Sequence, residues 1–111
     1  MNKQYRLKKS FEIEKLVKKR ISVGNIYFAI YYNLSSNNTT RVAISVSKKL
    51  GNAVVRNKEK RILREIIREN IDTIKGLDIL IVEKGKTLSL SFEEKRNEIN
   101  KLINKIIRKG I

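Results

Sequence analysis

Between positions 56 and 68 the chain gathers side chains of the types that hold phosphate. At 100° per residue, Arg56, Asn57, Lys60, Arg61, Arg64 and Arg68 fall on one arc of a helix. Val55, Ile62, Leu63, Ile66 and Ile67 fall on the opposite arc. Lysine and arginine bind phosphates by releasing condensed counterions, and arginine adds a planar fork for two oxygens. A face that is merely solvated usually mixes signs at i,i+4 spacing. Here Arg56, Lys60 and Arg64 repeat at i, i+4, i+8, a ladder of like charge that an anion would relieve. Glu65 and Glu69 sit between the arcs and offset it only in part. The chemistry is nucleic-acid binding rather than bond breaking.

Such a helix needs a start and a neighbour to pack on. Residues 41–47 supply the neighbour. Val42, Ile44 and Val46 alternate with Ala43, Ser45 and Ser47, the period of a strand. A basic turn opening on Gly51-Asn52 follows, and Asn52 is the expected N-cap, its side-chain oxygen accepting from a first-turn amide.

The stretch SVSKKLGNAVVRNKEKRILRE resembles the signature of the protein component of bacterial ribonuclease P. That family shows a strand, a Lys-Lys turn, then Gly-Asn-x-x-x-Arg-Asn-x-x-Lys-Arg-x-x-Arg. Gly51, Asn52, Arg56, Asn57, Lys60, Arg61 and Arg64 stand at the matching positions. Lys58 replaces a customary arginine, which keeps the charge and loses the fork. Glu59 replaces a customary apolar residue. It falls toward the core arc, in turns where the helix dipole tolerates an acid. The resemblance implies RNA contacts at Lys48, Lys49, Arg56, Asn57, Lys58, Lys60, Arg61, Arg64 and Arg68.

Charge is unevenly spread. The 111 residues carry +15, of which residues 1–20 hold +6 and residues 41–68 hold +7. The remainder holds +2, so the excess forms a footprint rather than a generally basic surface. Cysteine and histidine are absent, which excludes disulfides and thiolate sites and removes the commonest general base. The start MNKQYRLKK has no apolar segment of a secretory signal. Apolar runs such as Ile79–Val82 are far too short to span a membrane. A cytoplasmic protein without a membrane partner is expected.

Taken in order, residues 1–9 are basic and expected to be extended or poorly ordered. Ser10 is a candidate N-cap for a helix over residues 10–20, with Ile13, Leu16 and Val17 at i, i+3, i+4. Gly24 opens an apolar strand over residues 25–34, in which Ile26, Phe28, Ile30 and Tyr32 alternate with Tyr27, Ala29 and Tyr31. The polar run 35–40 is read as a turn pairing that strand antiparallel with 41–47. After the basic helix, Lys75-Gly76 breaks the pattern, residues 77–83 read as a buried strand, and Ser91 starts a helix to Arg108. Phe92, Ile99, Leu102, Ile103 and Ile106 are its apolar stripe.

The expectation is therefore one α+β domain over residues 1–111. Its order is α-β-β(-β)-α-β-α, a two-layer sandwich with one mixed sheet. The resemblance implies a fold shared with some ribosomal and translation-factor proteins. It also implies a left-handed strand–helix–strand crossover, against the general right-handed rule.

No catalytic site and no protein-held metal site is expected. Asp72 and Asp78 are the only aspartates, and no carboxylates cluster at ligand spacing. The resemblance implies a ribonucleoprotein endonuclease that removes the 5′ leader of precursor tRNA. The active site and its Mg²⁺ would lie mainly on the catalytic RNA subunit, and no protein partner is expected. It further implies a leader groove between the first helix and the sheet, with Ile13 and Val17 where aromatics are usual and Tyr31 on the strand. Two rival readings are a ribosomal-protein-like structural RNA binder without a role in cleavage and an architectural DNA binder.

Overall fold

The computed structural model describes residue 7, residues 10–35 and residues 38–109. In chain order these form α1 (Ser10–Lys18), β1 (Ser22–Gly24), β2 (Phe28–Leu34), β3 (Arg41–Val46), α2 (Ala53–Glu69), β4 (Leu77–Glu83) and α3 (Phe92–Arg108). A 3₁₀ turn at Lys48–Leu50 precedes α2. This is the α+β architecture the sequence predicts, with the optional additional strand present as β1.

The four strands make one mixed sheet in the order β1-β2-β4-β3. β2 runs antiparallel to β1 and β4, whereas β3 runs parallel to β4 and reaches it through α2. The expected pairing of residues 25–34 with 41–47 is therefore wrong: β4 lies between them. The physical reason is burial. β4 is apolar on both faces, with Leu77, Ile79 and Ile81 buried on one and Leu80 on the other, so it takes a central place. Described residues on both sides of the polar connection between β2 and β3 are held at Gly76, just before β4. Ser35 N donates to Gly76 O at 2.9 Å and Gly76 N donates to the Thr40 hydroxyl at 2.8 Å.

The strand expected from residue 25 begins at Phe28. Asn25 instead closes the β1–β2 turn, its Oδ1 accepting from Tyr27 N at 2.8 Å and Phe28 N at 2.9 Å. Ile26, expected to alternate with Phe28, lies in this turn and is exposed. Ser10 is the first residue of α1 rather than a cap before it, and the helix ends at Lys18, not Arg20. Arg20 adopts φ 55°, which closes the helix with Arg20 N on Val17 O at 3.0 Å. Of residues 1–9 only Leu7 lies among those described. It is buried, and its N–H donates to Val42 O at 2.8 Å; the expectation for the others lies outside the described residues.

The main core sits between the sheet and the α2–α3 layer. Phe28, Ile30, Val42, Val46, Ile79 and Ile81 meet Leu63, Ile66 and Ile67 of α2 and Ile99, Leu102, Ile103 and Ile106 of α3. Fully burying one such side chain contributes about 1.5–3 kcal/mol. α3 begins in a capping box: Ser91 Oγ accepts from Glu94 N at 3.1 Å and Glu94 Oε1 accepts from Ser91 N at 2.9 Å. α1 lies on the sheet's other face, against Ala43 and Leu80.

Candidate nucleic-acid interface

The basic helix is positioned from its N-terminus. Ser47 Oγ accepts from Lys49 N at 3.2 Å and shapes the Lys48–Leu50 turn, whose Leu50 is buried. Gly51 follows at φ 149°, and a Cβ there would stand 3.0–3.2 Å from the Val55 side chain. Glycine is thus needed for both conformation and space. Asn52 then caps α2 as the sequence predicts, Oδ1 accepting from Val55 N at 3.1 Å. With the apolar arc seated in the core, the opposite arc is fixed in direction.

Apart from Arg68, the cations of that arc have no ion-pair partner among the described residues. Among the described residues, Lys48, Lys49, Arg56, Lys58, Lys60, Arg61 and Arg64 make no ion pair, while Arg68 pairs with Glu65 at 2.5 Å. Lys48, Lys49, Asn57, Lys58, Arg61 and Arg68 are exposed; Arg56, Lys60 and Arg64 are half-buried. Partial burial of like charges raises their mutual repulsion, because water screens them less. Arg56 Nε is buried with no hydrogen-bond partner among the described residues. A buried donor left unpaired costs about 1–3 kcal/mol, a cost that falls if the guanidinium turns outward onto a phosphate oxygen.

Glu59 is not explained by the helix dipole. It is buried, and Lys95 Nζ of α3 donates to its Oε1 at 2.7 Å. Glu83, at the end of β4, is buried beside this pair and accepts from the Thr87 hydroxyl at 2.6 Å. Burial and a hydrogen bond with Glu59 push the Glu83 carboxyl up to about 7. Both carboxylates are thus interior groups, Glu59 on the core side of α2 and Glu83 at the end of β4.

The second predicted feature lies across the sheet. Tyr31, Leu80 and Ala43 stand in one row across β2, β4 and β3. Ile13 and Tyr31, both half-buried, pack against buried Leu16, Ala43 and Leu80. The structure thus brings Ile13 and Tyr31 together. Val17 stands at the rim and is 37% exposed. The next row, Ala29, Val82 and Ser45, is half-buried to exposed, a strip of small and apolar side chains beside α1.

Arg41 closes one end of this surface, and sequence reasoning gave it no site role. Its Nε and Nη2 hold Asp78 Oδ1 and Oδ2 at 3.0 and 2.9 Å, and its Nη1 holds Glu12 Oε2 at 2.7 Å. Those hydrogen bonds, the Asp78 ones foremost, raise the Arg41 pKa above its ordinary value. α1 is thereby tied to the sheet by charge as well as by Ile13 and Leu16. Its only local signal is a charged residue at the start of an apolar strand.

The described residues bring no three Asp or Glu side chains together as a metal cage, and no described helix is long and apolar enough to cross a membrane. The arrangement can bind polyanions on one face and an extended, partly apolar ligand on another.

Comparison with known proteins agrees with this geometry. The family model described as Ribonuclease P matches residues 1–107. The ribonuclease P protein component of Bacillus velezensis is 38% identical over 106 residues, covering 95% of this chain and 91% of the relative. That of Desulforapulum autotrophicum is 42% identical over 107 residues, covering 96% and 92%. Among solved structures, the Staphylococcus aureus RNase P protein superposes with a TM-score of 0.86 at 33% identity, covering 94% of this chain and 96% of that one. The Thermotoga maritima protein gives 0.81 at 30% identity, covering 90% and 96%. The signature helix, the mixed sheet and these likenesses together place the chain in the ribonuclease P protein family.

Proposed function

We propose that the chain is the protein subunit of a ribonuclease P ribonucleoprotein, holding the catalytic RNA with the basic arc of α2 and the Lys48–Lys49 turn. The observation that carries this is the unpaired cation ladder Arg56–Lys60–Arg64 with the orphaned Arg56 Nε. In this reading the surface between α1 and the sheet takes the single-stranded 5′ leader of precursor tRNA, with Ile13, Val17 and Tyr31 offering apolar contact. Cleavage belongs to the RNA subunit. Mg²⁺, held mainly by RNA phosphates, would supply charge neutralisation and an activated water there. Three acidic ligands do not converge among the described residues, so no step is assigned to an ion held by the protein. What the protein contributes is position and affinity: cations that lower the repulsion between two RNAs, and a surface that distinguishes a substrate with a leader from a product without one.

Reconstitution with the catalytic RNA of the same source tests the reading. The expected result is stimulated removal of the leader at limiting Mg²⁺ and no cleavage by the protein alone. Arg56→Gln or Arg64→Gln is expected to weaken RNA binding and to flatten its salt dependence by roughly one unit of slope per lost contact. Binding without stimulation would instead describe a structural RNA binder.

A further inference from the structure

A cleft separate from the surface under α1 opens where the Lys48–Leu50 turn meets the β1–β2 turn and the loop after β4. It is an open cleft of about 510 Å³. Ile26 and Leu88 line it and are 68% and 52% exposed, while Tyr27 is half-buried and Leu50 buried beneath them. Lys49 and Lys86 stand at its edge, and no carboxylate lines it. Single exposed apolar side chains are ordinary. Two on separate turns, lining one cleft with a half-buried tyrosine, form a patch that calls for an occupant.

The turns that present them are fixed. Asn25 Oδ1 holds the amides of Tyr27 and Phe28. Lys84 N donates to Tyr27 O at 2.8 Å, and Lys84 Nζ donates to Asn25 O at 2.7 Å, joining the two loops. Leu90 N donates to Thr87 O at 3.0 Å, and the Thr87 hydroxyl is held by Glu83. The cleft is therefore preformed, so an occupant need not order it on binding.

We infer that this cleft binds one unpaired nucleotide of the catalytic RNA subunit, its base against Tyr27, Ile26 and Leu88 and its flanking phosphates on Lys49 and Lys86. An apolar slot lined also by two lysines suits a base with its phosphates, and sequence-tolerant stacking needs only a flat face. The RNA subunit is the source because the cleft is continuous with the Lys48–Lys49 turn that opens the signature helix. The surface assigned to the leader lies instead along the Tyr31–Leu80–Ala43 row. The inference rests on the RNA-binding reading of α2, and its test separates the two.

Binding of the full chain to the RNA subunit is measured across a salt series, without substrate, for wild type, Ile26→Ser/Leu88→Ser, Lys86→Gln and Arg64→Gln. The double variant is expected to bind about tenfold more weakly with an unchanged salt slope, since an apolar contact releases no counterions. Lys86→Gln is expected to lower the slope by about one. Chemical probing of the bound RNA is expected to show one base protected by wild type and exposed in the double variant. Should the double variant melt early, Leu88→Ser alone, at a half-exposed site, is read in the same way. Affinity and probing like wild type, with Arg64→Gln still weakened, would overturn the cleft assignment alone. No effect from any variant would overturn the reading of α2 as well. A second series adds leader-bearing precursor to the reconstituted complex; a loss seen only there would give the cleft to the leader and overturn the assignment to the RNA subunit.

Discussion

Lys95 Nζ donates to Glu59 Oε1 at 2.7 Å with both side chains 5% exposed, an ion pair sealed between the signature helix and α3. Removing one member leaves a charge buried without a partner, which typically costs about 3–5 kcal/mol, whereas replacing both by apolar groups is often neutral. Lys95→Met is therefore expected to lower unfolding free energy by about that amount. Glu59→Leu/Lys95→Met is expected to stay within about 1 kcal/mol of wild type. Urea denaturation decides it, and equal losses in single and double variants would show that the pair is not a unit.

Glu83 makes the same cluster sensitive to pH. Burial is the first cause of its raised pKa of about 7, then the hydrogen bond with Glu59; Thr87 and Lys95 act in the opposite direction. Protonated, Glu83 can donate through Oε1, the buried atom otherwise without a partner. The folded chain thus keeps a proton that the unfolded chain releases near the ordinary carboxylate value. This contribution to stability is complete below that value and is lost as pH rises through about 7. Glu83→Gln, which stays neutral, is expected to flatten the fall in melting temperature between about pH 5 and about pH 8. Superimposable pH profiles for variant and wild type would remove Glu83 from this role.

The contrast between these buried charges and the basic arc shows what local sequence can carry. Asn52, Ser91, β4 and the span of α3 were legible because caps and periodicity depend on a few neighbouring residues. The same locality made Arg56, Lys60 and Arg64 readable as one face. Lys95 and Glu59 are 36 positions apart, and nothing in either neighbourhood marks their meeting. Arg41 and Asp78 are likewise joined only by the parallel register of β3 on β4. The position of β4 between β2 and β3 is also non-local, set by which strand has two apolar faces. β1, only Ser22–Gly24, was too short for a period to show.

Arg41 leads to a prediction about the leader surface. Its Asp78 fork lies within the sheet, whereas its Nη1 contact with Glu12 reaches α1. Glu12→Gln removes the charge from that reach and leaves the fork in place. Because the pair is partly exposed, stability should change by less than about 1 kcal/mol. The spacing of α1 from the sheet should loosen, and the preference for precursor over mature tRNA should fall about threefold or more, an energy near that of one surface pair. An unchanged ratio of the two affinities in the reconstituted complex would mean that Ile13 and Leu16 hold α1 unaided.

Ile13 and Val17 looked equivalent in sequence, and the structure separates them. Ile13 is half-buried against the cluster of Leu16, Ala43 and Leu80, so a phenylalanine there must displace packed neighbours, which typically costs about 1–3 kcal/mol. Val17 is 37% exposed and lies outside the residues packed in that cluster, so a ring there displaces fewer neighbours. Stacking one base on an aromatic is worth about 1–3 kcal/mol, so Val17→Phe is expected to tighten binding of leader-bearing precursor by about fivefold or more. Mature tRNA, lacking the leader, should bind as before. Tyr31→Ala should act in the opposite direction on the same substrate, removing the ring already present. The measurement is the ratio of precursor to mature tRNA affinity in the reconstituted complex, with a thermal melt of each variant beside it. A ratio unmoved by Val17→Phe, together with equal losses for both substrates in Tyr31→Ala, would mean that the leader does not run between α1 and the sheet.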